Sequence, residues 1–210
     1  REDLSVLGAD VRAQVDPVRL ATWGAGATTL PGAGWWIAAA LLSAAGVAAI
    51  AAWPLGAGPL PLVAVGILDW LFLHRLKAPL GAAAAAVEKP GRDLAVLAEV
   101  LARLEREQAS SPRLAALLAV LRDEGAPASQ RIAQLARRIE LLHAQANQFF
   151  APIAFLLLWS VHFGYAIESW RRRHGARVAR WLEAVGELEA LSSLASYAYE
   201  NPADPFPTLV

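Results

Sequence analysis

The stretch that decides the fold is residues 35–53, which reads WWIAAALLSAAGVAAIAAW and contains no charged residue. As an α-helix it would cover about 28 Å, close to the thickness of one bilayer core. It lies inside a longer uncharged window, because no Asp, Glu, Lys or Arg occurs between Arg19 and Asp69. Soluble domains rarely leave so long a window without charge, so this stretch predicts a membrane-associated protein.

A second apolar run, residues 60–76, follows a turn rich in proline and glycine at 54–61. The two runs predict a helical hairpin that crosses the membrane twice. Amphipathic rings prefer the headgroup layer, so four tryptophans near the ends of the runs are the predicted interface anchors. They are Trp35, Trp36, Trp53 and Trp70. His74, Arg75 and Lys77 follow the second run, which predicts that both flanks of the hairpin face the cytoplasm.

Two features leave the hairpin's environment open. Asp69 lies within the second run, and we expect it to sit within a turn or two of the interface and to reach water. The alternative to membrane insertion is a hydrophobic hairpin buried inside a soluble protein, because the many Ala and Gly residues weaken the transfer energy of each run.

The overall composition favours a membrane class as well. Hydrophobic residues make up 56% of the chain and charged residues 18%, against a usual quarter charged. The formal net charge is zero, so no global field attracts nucleic acid. The absence of cysteine excludes disulfides, a thiolate nucleophile and a cysteine-based zinc site.

Amphipathic helices are predicted on both sides of the hairpin. The first covers residues 1–20, is ended or kinked by Pro17, and leads into a flexible segment that starts at Gly24. Beyond the hairpin, Asp93, Ser111 and Ser129 are predicted helix caps. The predicted inward faces are Leu94, Leu97, Leu101 and Leu104; Leu114, Leu117, Leu118 and Leu121; and Ile132, Leu135, Ile139 and Leu142.

A third apolar run covers residues 149–167 and is long enough to span a membrane. We interpret it as a buried core helix, because a third crossing would place the arginines of 171–173 on the outer side, against the positive-inside tendency. A third span is the alternative. The last helix is predicted over residues 176–199, and the prolines from Pro202 onward end it.

The basic run is the one candidate site in the sequence. Arg171, Arg172 and Arg173, followed by His174, could contact the phosphates of a lipid or of nucleic acid. The alternative is a C-terminal helix cap, in which the cations meet the partial negative charge of a helix that ends before Gly175.

Catalytic machinery is not predicted in this chain. A Walker-type phosphate loop needs a Gly-Lys pair followed by Ser or Thr. The two lysines, Lys77 and Lys89, follow Leu76 and Glu88, so neither provides one. No two histidines have the i, i+4 spacing that places two metal ligands on one helix face. We therefore predict no catalytic, cofactor-binding or metal-binding residue.

The beginning of the chain carries a family resemblance. Residues 1–8, which read REDLSVLG, are followed by Asp16 and Pro17 and then by LATWG at 20–24. This pattern resembles the middle of the helical core of MutS-related proteins.

The end of the chain carries a more specific likeness to the same family. Its elements are ESWRRRHG at 168–175, WL at 181–182, GELEALSSLA at 186–195, and residues 199–207. They are similar to the stretch just before the family's ATPase domain, where an acidic-Leu-acidic triplet leads to Leu-x-Ser-Leu-Ala. The likeness is greatest to a bacterial MutS-like group with hydrophobic segments between the two matches.

The resemblance implies a helical lever that couples nucleotide state to DNA binding in a larger ATPase. ATP and Mg²⁺ would bind the parent protein rather than this part, DNA would be a partner through the parent, and a homodimer would form through the ATPase domain. The chain departs from mismatch-repair MutS because it has no mismatch-reading domain, no evident clamp insertion and a membrane-like hairpin. Mismatch repair itself is therefore the least supported part of the likeness.

Together these observations predict an all-α, lever-like bundle of long amphipathic helices with a transmembrane helical hairpin. The expected parts are 1–33, helical core; 34–77, hairpin; 78–200, lever and core; and 201–210, a linker towards an ATPase domain. The expected location is a bacterial inner membrane with a cytoplasmic helical domain, and the alternative location is the cytoplasm. The alternative function is an independent small membrane protein whose cytoplasmic helices bind a partner protein.

Overall fold

The computed structural model of the protein describes residues 16–27, 30–85, 91–109, 111–122 and 125–204. Every regular element in these ranges is a helix, which confirms the predicted all-α class. The α-helices are α1 (Pro17–Ala25), α2 (Ala33–Ala52), α3 (Leu60–Ala85), α4 (Gly91–Leu104), α5 (Pro112–Leu121), α6 (Ala128–His143), α7 (Ala151–Leu156) and α8 (Trp159–Glu200). Helix α4 begins at Gly91, so Asp93 lies within the helix and is not the cap that was predicted. The predicted helix over residues 1–15 and the linker from residue 205 onward lie outside the description.

Helix α1 begins where an end or a kink was predicted. Pro17 occupies its first turn, where the missing N–H costs nothing, and the Asp16 carboxylate accepts hydrogen bonds from the amides of Val18 and Arg19. Gly24 is buried within the helix, so the predicted start of the flexible segment is wrong, and the helix ends only at Ala25.

The predicted helical hairpin is formed by α2 and α3. A π-helical turn, Trp53–Ala57, joins them, and Gly56 and Gly58 take the positive φ values that this reversal needs. At one end of the hairpin the ring centroids of Trp35 and Phe72 lie 5.4 Å apart. Helix α3 continues past the predicted end at residue 76, through Pro79, to Ala85.

One described helix has the length and apolarity to cross a membrane. It is the segment Ala33–Ala57, and only 17% of its most apolar window is buried within the protein. Helix α3 is long enough but not apolar enough, since the charged residues Asp69, Arg75 and Lys77 interrupt it. The prediction of two spans is therefore supported for the first apolar run alone.

Asp69 does not reach water, contrary to expectation. Its exposed fraction is 0%, and neither carboxylate oxygen has a hydrogen-bond partner among the described residues. The reason is its position on α3: Val65, Phe72 and Leu76 share its helix face and pack into the contacts with α2, α7 and α8.

A second group of helices, α1, α4, α5, α6 and the middle of α8, encloses the largest hydrophobic core. The predicted inward faces of α4, α5 and α6 supply much of this core. Their buried members are Leu94, Leu97, Leu101, Leu117, Leu118, Leu121, Ile132, Leu135 and Ile139. The amphipathic patterns therefore identified the correct faces.

Of the two serine caps predicted in this group, one is confirmed in position. Ser111 is the N-cap of α5 and Pro112 occupies the first turn, although the serine side chain makes no capping hydrogen bond. The other is wrong. Helix α6 begins one residue before Ser129, and Ser129 is itself held by a distant acid: its amide and hydroxyl donate to the Glu105 carboxylate at 2.8 and 2.6 Å. A long-range contact thus replaces the local cap.

The third apolar run is not one buried helix, as predicted, but two helices with a break. Helix α7 ends at Leu156, Leu158 adopts a left-handed backbone with φ 46°, and α8 starts at Trp159. Leu158 is fully buried, whereas Phe149 is 93% exposed and Ile153 is 50% exposed. The run therefore has one face against the hairpin and one face outward.

The hairpin provides the partner that makes this break possible. The Ser43 hydroxyl donates to the carbonyl of Leu157 at 2.8 Å, and Leu156 fills the notch left by the absent side chain of Gly46. From the break, α8 runs back along α2 as far as Tyr165, whose hydroxyl donates to the Pro31 carbonyl at 2.8 Å.

Helix α8 is much longer than predicted. It contains 42 residues, about 63 Å, and it starts at Trp159 rather than at 176. Gly175 does not stop it. An added Cβ at Gly175 would lie 2.2 Å from the carbonyl oxygen of Gly24, so this glycine is the point where α1 crosses α8 at close range.

Candidate basic cleft beside the hairpin

The three consecutive arginines predicted as phosphate or lipid contacts have different environments. Arg171 is only 6% exposed, and its guanidinium donates to the Glu168 carboxylate at 2.8 Å and to the Ala27 carbonyl. It also lies 5.7 Å from the ring centroid of Trp23. Arg171 therefore ties α1 to α8 inside the protein, and its prediction as a ligand contact is wrong.

Arg172 and Arg173 are exposed, as a contact with an external phosphate requires. The alternative interpretation of this run, a C-terminal helix cap, is wrong, because α8 continues for 25 residues beyond Gly175 to Glu200. The two exposed arginines are therefore not engaged in capping.

A cleft of about 580 Å³ lies beside these two arginines, and α6 adds a third, Arg138. The start of α2 and the first turns of α8 form its other walls. Its further lining residues include Gly32, Ala33, Trp36, His162, Tyr165 and Ser169. Positive side chains, an aromatic ring and a helix start thus surround one cavity.

The cations of the cleft have no carboxylate partners in the described part of the chain. Arg173 donates to the Ser169 hydroxyl at 2.6 Å, and Arg138 donates to the Ala166 carbonyl at 3.4 Å. Glu168 also faces the cleft, but its carboxylate is bound to Arg171. The positive charge of the cleft is therefore not neutralised internally.

Burial and a neighbouring cation both disfavour the charged form of Arg138. Burial, and after it the nearby charge of Arg173, lowers the pKa of the Arg138 guanidinium. An anion placed between the Arg138 and Arg173 side chains would offset the repulsion between them, since opposite charges at close range favour the charged form of each.

The start of α2 adds a weaker positive contribution. Gly32 is its N-cap, and no side chain caps the first turn. The backbone N–H groups at a helix start carry partial positive charge and donate hydrogen bonds to anions. This end of α2 opens onto the same cleft as the arginines.

A second cavity of about 490 Å³ lies on another side of α8, between α3 and α6. Its walls are mainly apolar, with Trp70, Leu142 and Phe155 among them. His74 and Lys77 also line it. It contains one lysine and no arginine, so it is the less basic of the two cavities.

The four predicted interface tryptophans are all at least 37% exposed. Trp35 and Trp36 begin α2, and Trp53 begins the turn at the other end of the hairpin. Trp70 lies on α3, two residues before Phe72, whose ring contacts Trp35. Their role as membrane anchors stays a prediction, but none of them is used in the described core.

Sequence reasoning missed Arg138, Tyr165 and the pair formed by Ser43 and His162, whose Oγ and Nε2 atoms lie 3.0 Å apart. Arg138 adjoins the inward residue Ile139 on α6, so the helical pattern could have placed it at the edge of the core. No local pattern could have placed it beside Arg173. A comparison of the chain with protein families, curated proteins and solved structures found no match.

Proposed function

We propose that this chain is a non-catalytic helical coupler within a membrane-tethered MutS-like ATPase. Helix α8 is the observation that carries this proposal. It begins at Trp159, packs on the hairpin through Val161 and Tyr165, passes through the main core, and continues to Glu200, with the residues from Ser192 to Glu200 largely exposed. A single helix thus connects the hairpin with the segment that resembles the approach to an ATPase domain.

The outer surface of the hairpin supports membrane attachment. Large apolar side chains on both of its helices are about half exposed or more, among them Leu41, Val47, Val63 and Ile67. Contiguous apolar surface of this kind marks a membrane or protein contact. The hairpin of a soluble protein would instead be mostly buried, so the exposed belt favours the membrane alternative.

The break between α7 and α8 is compatible with a bilayer setting. Irregular backbone at membrane depth is tolerated where protein groups satisfy its hydrogen bonds. Ser43 does this for Leu157, and Leu158 is fully buried. We infer that α7 and the first turns of α8 enter the membrane beside the hairpin and leave on the same side, so Arg172 and Arg173 remain cytoplasmic.

The nucleotide and DNA parts of the proposal come from the family resemblance. ATP and Mg²⁺ would act in the parent protein, DNA would be bound through it, and a homodimer would form through the ATPase domain. The competing proposal is an independent small membrane protein whose helical domain binds another protein. The coding region after Val210 separates the two, because the coupler requires a Gly-rich loop with Gly-Lys-Ser or Gly-Lys-Thr within about fifty residues.

Membrane partition of the full-length protein after carbonate washing tests the anchor. We compare it with a version lacking residues 34–77, and with a variant carrying L41K, V47K and I67K. These three side chains are exposed, so a soluble fold would tolerate lysine there, whereas a bilayer would not. We expect the unsubstituted protein to stay with the membrane and both variants to be released. Release of the unsubstituted protein by carbonate would contradict the anchor.

A further inference from the structure

We propose that the cleft lined by Arg138, Arg172 and Arg173 binds the phosphate headgroup of an anionic phospholipid in the cytoplasmic leaflet. This inference rests on the proposed membrane attachment and adds a ligand class and a site to it.

The chemistry of the cleft fits a phosphate. Three guanidinium groups from two helices face a cavity of about 580 Å³, and none of them has an ion-pair partner within the described ranges. Planar guanidinium groups donate well to phosphate oxygens. The uncapped start of α2 adds amide donors and partial positive charge on the same side.

The position of the cleft favours a lipid over a nucleic acid. Gly32, Ala33 and Trp36 line it, so its wall is the first turn of the helix that is apolar enough to cross a membrane. The ring of Trp36 is 47% exposed at this edge, as expected for a headgroup-level tryptophan. A DNA duplex needs an extended basic surface, whereas this cavity is closed on one side by the hairpin.

Native mass spectrometry of the detergent-solubilised full chain tests the proposal. The chain is titrated with phosphatidylglycerol and, separately, with neutral phosphatidylcholine. The test variant carries R172Q and R173Q, and the control variant carries R137Q and R180Q. Arg137 and Arg180 are exposed and lie outside the cleft, so the two variants lose the same charge.

We expect the unsubstituted chain and the control variant to bind phosphatidylglycerol more tightly than phosphatidylcholine. The cleft variant should lose about tenfold in affinity for phosphatidylglycerol, while its weak binding of phosphatidylcholine is unchanged. Equal losses in both variants would overturn the proposal, because they would show a diffuse charge effect. A titration with a short DNA duplex gives a second way to overturn the proposal. If the cleft variant loses affinity for the duplex but not for phosphatidylglycerol, the cleft binds nucleic acid instead.

This experiment does not depend on membrane insertion, since the chain is in detergent. Carbonate extraction of the cleft variant gives the separate readout: it should remain with the membrane like the parent. If the cleft variant loses its lipid preference but stays with the membrane, the site is supported. If the unsubstituted chain prefers phosphatidylglycerol but is released by carbonate, the site is still supported and the anchor is contradicted.

Discussion

Arg171 and Glu168 form an ion pair inside the protein, with side chains only 6% and 4% exposed. Charges in such a position depend on each other, because removing one leaves the other buried without compensation. The neighbouring arginines have no such constraint. Three identical residues in a row therefore divide into one that is paired inside the protein and two whose side chains are exposed.

We predict that R171M lowers the free energy of unfolding by about 3–5 kcal/mol, because Glu168 and the Ala27 carbonyl lose their donor. Chemical denaturation in detergent measures it. R172M is the matched control, and its effect should stay within about 0.5 kcal/mol, since the side chain is exposed. Equal effects of the two substitutions would contradict the assignment of Arg171 to the interior.

Asp69 gives a prediction of the opposite sign. Its carboxyl is fully buried and has no hydrogen-bond partner in the described structure. D69L should therefore raise the free energy of unfolding by about 1–3 kcal/mol, because it removes an unsatisfied polar group. The control is E183L, which replaces an exposed acid on α8 and should change stability little. A large destabilisation by D69L would show that the acid has a partner in the working protein.

At this scale the sequence predicts some environments and misses others. Arg171 is four residues after the buried Ile167 and seven before the buried Val178, so helical spacing alone places it inward. The adjacency of the three arginines predicts a shared ligand contact, but adjacent positions of a helix point in different directions. Arg138 is different, because its approach to Arg173 depends on how two distant helices pack.

Helices α1 and α8 cross at close range. Gly24 and Gly175 are in backbone contact there, and the rings of Trp23 and Trp170 stack beside them with centroids 6.2 Å apart. Small residues allow helix axes to approach closely, so the crossing cannot accept even one added carbon without moving a backbone.

We predict that G175A destabilises the protein by about 1–3 kcal/mol, because its Cβ would meet the Gly24 carbonyl. Gly186 lies on the same helix with no atom near its absent Cβ. G186A should therefore stabilise by up to about 1 kcal/mol through helix propensity. Thermal unfolding of both variants measures the pair, and a shift of the same sign in both would contradict the close crossing.

The elements themselves were predictable where the pattern is local. The hairpin follows from two apolar runs with a Pro- and Gly-rich turn, and α4, α5 and α6 follow from their leucine and isoleucine stripes. The break at Leu158 was not predictable, because it depends on Ser43 and Gly46 in a different helix. Gly175 was misread as a stop for the same reason: its partner is Gly24.

The whole molecule offers a direct test of topology because it contains no cysteine. Leu55, in the hairpin turn, is 86% exposed, and Ser192 lies on the exposed part of α8. We predict that a membrane-impermeant maleimide added outside bacterial spheroplasts labels L55C and not S192C. In inverted vesicles the pattern should reverse. Labelling of both cysteines from the same side would contradict a spanning hairpin.

The contact between Ser43 and Leu157 joins residues that are 114 positions apart, so its two halves are made at different times. At ribosomal rates that interval is on the order of ten seconds. In the membrane-tethered protein that we propose, the hairpin would meet the insertion machinery before its packing partner exists, and its serine hydroxyl would bond within its own helix until then. On this proposal, the order of biosynthesis gives a two-stage assembly: a provisional anchor first, and a completed membrane domain only when residues 151–165 arrive.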